Sequence, residues 1–419
     1  LNSITISFRI SLFCSNFAKN IYMKTIFPYN KESKNGLIKS RIIEYFISNG
    51  NATNTDISKE FNLSSPTIAR IINEMCQEGF VLEYGKLETE EGRHPNLFGL
   101  NPDSGYFIGV DINPTFVNIG LMNIRGDLID LFKETDYIHD NSKEALERLC
   151  EIIYNYTINT SVSKEKILNI NINIGGRINP DTGYSYSVFN FSEASLSSML
   201  TEKLGYQVTI ENDTRAMAFG EYMEGCVQGE KNILFINVSW GLGAGIIIDG
   251  NLYKGKSGYA GEIGHNFFTN NELICHCGKK GCLETEVSGS ALVRIVKERL
   301  NNGESSSLAL SENGDFTLQD VVTATCNEDT LCIDVIESMG YKLGQSIAGL
   351  INIFNPELVI VGGILSMTGE YFIHSIKSAI LKYSLNLVNK DTKVVLSKLK
   401  EKAGVVGSCM IARKNFLQI

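Results

Sequence analysis

The chain has no apolar run near the roughly 20 residues that a membrane-crossing helix needs. Positive charge is also short: 38 Lys and Arg stand against 47 Asp and Glu, for a net charge of −9. That balance excludes a protein that coats nucleic acid or an anionic membrane through its overall field, but not a small DNA-reading module at one end. Outside one central cluster the ten cysteines are scattered, which suits a reducing cytoplasm and argues against a disulfide framework. Residues 4–14 are mildly apolar, but Arg9 interrupts them and no small-residue cleavage site follows, so they read poorly as a signal peptide. The first methionine is Met23, and residues 1–22 are expected to be a non-native or disordered extension. What remains is an ordinary soluble composition, 43% hydrophobic and 20% charged. A length of 419 residues allows two or three domains.

The densest chemistry lies in residues 257–290. Cys275, Cys277 and Cys282 fall within eight residues, and His265 stands ten positions before the first of them. Three thiolates and an imidazole form a four-ligand tetrahedral zinc set, and four protein ligands leave no open position, so the site reads as structural. Gly278 and Gly281 allow the tight turns between the sulfurs. His276 competes as the fourth ligand. The plain alternative is three reduced cysteines in a glycine-rich loop, but no aliphatic periodicity accompanies them. Glu262 and Glu284 flank the cluster, and with His265 they are expected to face a polar ligand.

Residues 35–98 read as a winged helix-turn-helix domain. Ile38, Ile42, Ile43 and Phe46 have helical spacing. Thr53 or Asn54 caps a second helix, and Asn62-Leu63-Ser64 makes the turn. Ser65-Pro66 is read as an N-cap followed by a first-turn proline. Ile68, Ile71, Ile72 and Met75 then form one buried stripe. Ser65, Thr67, Arg70 and Asn73 occupy the opposite face, suited to the major groove. Gly79 stops the helix. Residues 80–84 and 87–90 are predicted to pair as a hairpin around Gly85-Lys86, and Arg93 is a candidate for a minor groove. A three-helix protein-binding module is the competing reading, because the local charge is balanced rather than basic.

After a turn-rich linker at 101–105 the pattern changes. Strands are predicted at 107–112, 117–122, 128–132, 167–174, 233–238, 245–248, 358–361 and 394–396, with helices at 143–159 and 291–301. This is an α/β protein. Residues 109–115 and 237–245 each read as strand, turn and strand, a hint of internal duplication.

Here the residues resemble the ROK family, which groups bacterial sugar kinases with sugar-responsive transcriptional repressors. The resemblance runs from Leu37 to the end of the chain. It rests on Gly258-Tyr259-Ala260-Gly261-Glu262-Ile263-Gly264-His265 and on Cys275-His276-Cys277-Gly278-Lys279-Lys280-Gly281-Cys282-Leu283-Glu284. Glu211-Asn212-Asp213, Asn355-Pro356-Glu357 and Val361-Gly362-Gly363 add to it. It implies an actin-like two-lobed sugar-kinase (ribonuclease H-like) fold over residues 105–419, preceded by the winged helix-turn-helix domain. It makes His265, Cys275, Cys277 and Cys282 the ligands of a zinc loop at 265–284. It also places a sugar or sugar phosphate among Asn212, Asp213, Glu262, His265 and Glu284, with Asn190 a further candidate. Gly175-Gly176-Arg177 departs from the Pro-Gly usual in the kinases.

Asp213 sits where the family kinases carry the base that takes a proton from the sugar hydroxyl. The phosphate loops point the other way. Kinases of the family read Asp-x-Gly-Gly-Thr, whereas this chain has Asp111-Ile112-Asn113-Pro114-Thr115. Pro114 has no N–H and a fixed φ. Kinases read Gly-Thr-Gly in the second loop, whereas this chain has Ser239-Trp240-Gly241. Each preorganised donor is worth on the order of 2–4 kcal/mol in a transition state. No functional ATP site and no catalytic residue are therefore expected, and Asp213 is a vestigial base. The expected protein is a cytoplasmic, homodimeric or homotetrameric repressor that binds operator DNA and an inducer sugar. The alternative is a sugar kinase with a fused head.

Overall fold

The computed structural model describes residues 33–87, 94–138, 140–308 and 315–418. They fall into two units: residues up to Tyr106 with Asn123–Asp127 and the end of the chain from Leu417, and Phe107–Met122 with Leu128–Phe416.

In the first unit, α1 (Lys34–Asn49) is capped by Ser33, whose Oγ accepts from the Gly36 N–H at 3.0 Å. A two-residue strand, β1 (Ala52–Thr53), leads into α2 (Asn54–Phe61). Thr53 caps α2 in a reciprocal box with Asp56. Helix α3 (Ser65–Gln77) is capped by Ser64, not Ser65, so Pro66 stands one position deeper than expected. Ile42, Ile43, Ile57, Ile68, Ile71, Ile72 and Met75 are all at most 1% exposed and form the head's core. Burying each aliphatic side chain contributes about 1.5–3 kcal/mol.

The wing differs from the sequence prediction. Strand β2 (Val81–Lys86) pairs antiparallel with β3 (Asn96–Leu100), which also pairs with β1. The order is β1-β3-β2. Gly85, at φ +95°, sits in an irregularity of β2 rather than in a two-residue turn. Leu87 lies beyond the strand, with its N–H on the Pro95 carbonyl. Residues 88–90 of the expected second strand, Arg93 and the extension 1–22 lie outside the described residues.

The second unit contains the same five-stranded motif twice. The first sheet uses β4 (Tyr106–Ile112), β5 (Val117–Asn123), β6 (Leu128–Glu134), β7 (Ile167–Ile174) and, after the short pair β8 (Ile178–Asn179) and β9 (Tyr184–Ser185), β10 (Val208–Asn212). Helices α4 (Lys143–Asn159) and α5 (Leu196–Leu204) precede β7 and β10. Helix α6 (Asp213–Glu224) leads to the second sheet of β11 (Ile233–Val238), β12 (Leu242–Ile248), β13 (Asn251–Leu252), β14 (Leu358–Gly362) and β15 (Lys393–Leu396). Between β13 and β14 run α7 (Gly289–Asn301), α8 (Leu318–Cys326) and the 25-residue α9 (Thr330–Phe354). Helices α10 (Glu370–Tyr383) and α11 (Asn386–Asp391) precede β15, and α12 (Ala403–Leu417) ends the chain. The spatial orders are β10-β7-β4-β5-β6 and β13-β12-β11-β14-β15. In both, the first three strands of the repeat run outward in one direction and the last two in the other. The duplication read from two strand–turn–strand segments is thus carried by the whole topology.

Two helices cross between the lobes. Helix α6 packs on the second sheet, where Gly243 and Gly245 admit Thr214 and Ala218. Helix α12 packs on the first sheet, where Gly109 lies against the Cys409 backbone. Where α6 and α12 meet, a Cβ added to Gly407 would lie 1.8 Å from the Ala216 carbonyl oxygen, and one added to Gly220 would lie 2.5 Å from that of Ala403. Backbone cannot yield there as a flexible side chain can. Gly407→Ala is expected to cost about 3 kcal/mol or more, measured as a lowered urea midpoint with an unchanged slope.

Candidate functional site

The site starts at β12. The Ala244 N–H donates to the Gly261 carbonyl at 2.8 Å. Gly261 takes φ +95°, and a Cβ on it would lie 1.8 Å from the Ala244 oxygen. That approach pins the following Glu262 and the short turn Ile263–His265 against the second sheet. Further along, the Gly278 N–H bonds the Cys275 carbonyl and the Cys275 N–H bonds that of Lys279, each at 2.8 Å, making a tight knuckle. Phe267 and Cys282 form a bridge that returns the chain to its base.

This brings the predicted ligands together. Ligand atoms of His265, Cys275, Cys277 and Cys282 all lie within 4.8 Å of one another. Cys277 Sγ is 3.6 Å from Cys282 Sγ, and Cys275 Sγ is 3.6 Å from His265 Nδ1. A tetrahedron with zinc–sulfur bonds near 2.3 Å and zinc–nitrogen bonds near 2.0 Å has edges of about 3.8 and 3.5 Å. A disulfide would need sulfurs at about 2.05 Å. The donor set therefore fits a tetrahedral, thiolate-preferring ion. His276 belongs to a second close group with His265 and Glu284. Its Nδ1 lies 3.0 Å from Glu284 Oε1, so it faces the carboxylate.

The polar residues converge beside this loop. Asn212 caps α6: its Oδ1 accepts from the Arg215 N–H, and its Nδ2 donates to the Gly176 carbonyl and to Asp213 Oδ1, each at 3.0 Å. Both of its amide protons are engaged, so it orients Asp213. Asp213 Oδ1 also accepts from the Thr214 N–H at 2.7 Å. Its Oδ2 faces Gly175, 3.6 Å from where a Cβ would stand. Glu262 Oε2 lies 3.8 Å from His265 Nε2, the ring nitrogen turned away from the sulfurs. Glu284 is buried, and its Oε2 accepts from the Leu242 N–H at 3.0 Å. Asn190 is exposed, in the turn after Phe189.

Burial pushes the Asp213 carboxyl above its ordinary value. Burial does the same to Glu262, and the Asp213 charge adds to it against the pull of His265. Asp111, at the end of β4, is pushed up to about 6 by burial, with Asp213 adding repulsion. It is held by Asn113 at 3.0 Å and Asn173 at 3.4 Å. Asn169, Asn171 and Asn173 alternate along the fully buried β7, and Asn171 and Asn173 bond Ser408 and the Gly404 carbonyl of α12. For an acid raised in the folded state, folding binds an extra proton between the unfolded value, near 4, and about 6. The Asp111 carboxyl therefore opposes folding progressively as pH rises through that window, by about 3 kcal/mol above it. Asp111→Asn is expected to flatten the fall in urea stability between pH 4 and 7.

The two turns at 111–115 and 239–241, which the family resemblance compared with phosphate loops, are internally bonded. The Asn113 N–H donates to the Phe116 carbonyl at 2.9 Å. Ser239 uses its N–H on the Gly241 carbonyl and its hydroxyl on Asn237. Trp240 is 54% exposed. On α3, Ser65, Arg70 and Asn73 are exposed and Thr67 is half-buried. The Arg70 guanidinium pairs with Glu74, one turn on, which also reaches Lys39. Among the described residues no helix is long and apolar enough to cross a membrane.

Sequence reading missed Arg215 and the Leu242 N–H. Arg215 left one trace, its spacing of four from Glu211; a backbone donor leaves none.

Comparison with known proteins places both units. Residues 107–415 match the ROK family, and residues 37–81 match the winged helix-turn-helix DNA-binding family. The chain is 32% identical over 377 residues to the xylose repressor of Caldicellulosiruptor bescii, covering 88% of this chain and 93% of that one. It resembles the crystal structure of a ROK family transcriptional regulator, a homologue of the E. coli MLC protein, with a TM-score of 0.76 and 28% identity, covering 90% of this chain and 96% of that one. It also resembles a ROK family glucokinase from Streptomyces griseus in complex with glucose and AMPPNP, with a TM-score of 0.66 and 28% identity, covering 74% of this chain and all of that one. With a duplicated α/β body matching over more than three hundred residues and a helix-turn-helix head before it, the chain belongs to the ROK family.

Proposed function

We propose that the chain is a sugar-responsive transcriptional repressor of carbohydrate-utilisation genes. The observation that carries this reading is the similarity to a xylose repressor over 88% of this chain and 93% of that one, more than the ROK body alone. The head binds operator DNA through Ser65, Thr67, Arg70 and Asn73 of α3, and Arg93 reaches a minor groove. The inducer sugar lies among Asp213, Glu262, His265 and Glu284, with Asn212 orienting Asp213 and Asn190 at the rim. Carboxylates suit this role because each accepts two hydroxyls. Zinc on His265, Cys275, Cys277 and Cys282 would fix the loop that carries Glu262 and Glu284. His265 would then bind the metal through Nδ1 and leave Nε2 for the ligand.

Kinase chemistry is lost in this reading. Pro114 and Trp240 replace the small residues that let backbone N–H groups approach phosphate. Asp213 survives as a vestigial base that holds a hydroxyl. The protein acts in the cytoplasm as a homodimer or homotetramer, with two heads spaced for a palindromic operator. The sugar must bind two states of the body unequally, or it shifts nothing.

The test has two arms. D-xylose, D-glucose and N-acetyl-D-glucosamine are titrated into a complex of the protein with its upstream DNA, and release by one of them is expected. A coupled ATP assay with the same sugars should show no turnover; a rate near 1 per second or above, typical of working enzymes, would make the chain a sugar kinase with a fused head.

A further inference from the structure

Arg215 is 1% exposed and is one of the largest fully buried side chains among the described residues. Its Nε donates to Glu211 Oε1 at 2.8 Å, and its Nη2 lies 2.6 Å from the same oxygen. Nη2 also donates to the Ile178 carbonyl at 3.2 Å, and Nη1 to the Gly258 carbonyl at 2.5 Å. These acceptors come from different places. Glu211 lies near the end of β10 and Ile178 opens β8, both in the first lobe. Gly258 belongs to the second lobe, in the loop that runs on to Glu262. One guanidinium therefore ties the two lobes together.

Taking two ions out of water costs several kcal/mol each, and apolar replacements are often as stable. Stability alone gives little reason for this pair. Its position gives more: Arg215 is two residues from Asp213, and its partner Gly258 is four residues before Glu262. The approach of the two lobes here has independent support in the backbone. Gly258 takes φ +83°, and a Cβ on it would lie 2.5 Å from the Ile178 carbonyl oxygen that Arg215 also binds. A larger residue would push apart the two strands of chain that Arg215 joins.

We infer that Arg215 is a positioning residue for the ligand, a latch that sets the separation of Asp213 and Glu262 across the cleft. Its planar fork reaches acceptors in several directions, which a lysine ammonium does not reproduce. Its charge also favours the ionised forms of Asp213 and Glu262, against the burial that raises both. This inference rests on the sugar reading above.

The test uses the full chain with D-xylose, D-glucose and N-acetyl-D-glucosamine, and follows whichever sugar raises the Tm of the wild type. Arg215→Gln is expected to raise the Kd for that sugar about 30-fold or more, with operator affinity in the absence of sugar within about threefold of wild type. Arg215→Lys should recover part of the loss. Gly258→Ala should weaken the sugar in the same direction without altering the guanidinium. Glu221→Gln is the control for stability alone, because Glu221 is also fully buried but is held by Ser397 and the Leu399 N–H. It should lower the Tm and leave the sugar Kd unchanged. An unchanged Kd in the Arg215 variants, or a loss that follows Tm as it does in Glu221→Gln, would overturn the latch while leaving the sugar reading intact. A wild type that binds none of the three sugars would overturn both.

Discussion

Replacing Cys282 by serine is expected to abolish the response to sugar while operator binding by the head survives. Cys282 is 1% exposed, and its Sγ stands 3.6 Å from Cys277 Sγ at the base of the knuckle. Serine offers a hard, protonated oxygen where the set needs a soft thiolate. Structural zinc sites contribute apparent free energies of about 10–16 kcal/mol in small domains at neutral pH. Glu284 lies two residues beyond Cys282, and its Oε1 is 3.7 Å from Cys275 Sγ, so its placement depends on the knuckle. Metal analysis should fall from about one zinc per chain to near zero, and sugar affinity by about 100-fold or more. Cys275→Ala should behave alike. Full induction by sugar in a zinc-free variant would show that the carboxylates hold their places without the metal.

Asp213→Asn is expected to separate ligand binding from stability. Asp213 Oδ1 is already engaged by the Thr214 N–H and Asn212 Nδ2, leaving Oδ2, which faces Gly175, as the acceptor for a ligand. An asparagine oxygen can keep the first two bonds, but its amide nitrogen cannot accept a hydroxyl proton. Losing a charged acceptor costs about 1.5–3 kcal/mol per hydrogen bond, so sugar affinity should fall about 100-fold by isothermal titration. Stability should move the other way. A carboxyl raised in the folded state favours its protonated form, so its ionised form costs stability at pH values above the folded pKa. Asparagine removes that cost, and the urea midpoint at neutral pH should hold or rise. Such a trade-off marks a residue kept for binding. A variant that binds sugar normally would remove Asp213 from the ligand set.

Local regularities were legible without coordinates because they act over a few residues. The stripe Ile68, Ile71, Ile72, Met75 fixed α3 through helical spacing alone. The aromatic and β-branched residues Tyr106, Phe107, Ile108 and Val110 fixed β4, and the close spacing of Cys275, Cys277 and Cys282 fixed the knuckle. The wing was less legible. Gly85-Lys86 has the look of a turn, yet β2 continues through it, because β3 lies ten residues further on and pairs with both β1 and β2. Strand pairing over that distance leaves no local signature.

The sequence by itself determined which groups are available: the thiolates and imidazole for a metal, the carboxylates for hydroxyls, and a proline at 114 and a tryptophan at 240. Those follow from residue chemistry and short spacing. Only the tertiary structure decided how the groups are aimed. Asn212 spends its amide on Asp213 and Gly176, His276 turns to Glu284, and Arg215 reaches Gly258, forty-three residues away. Such partners are chosen by how two sheets and two crossing helices close-pack, and that packing is a property of the whole chain, beyond the reach of any motif.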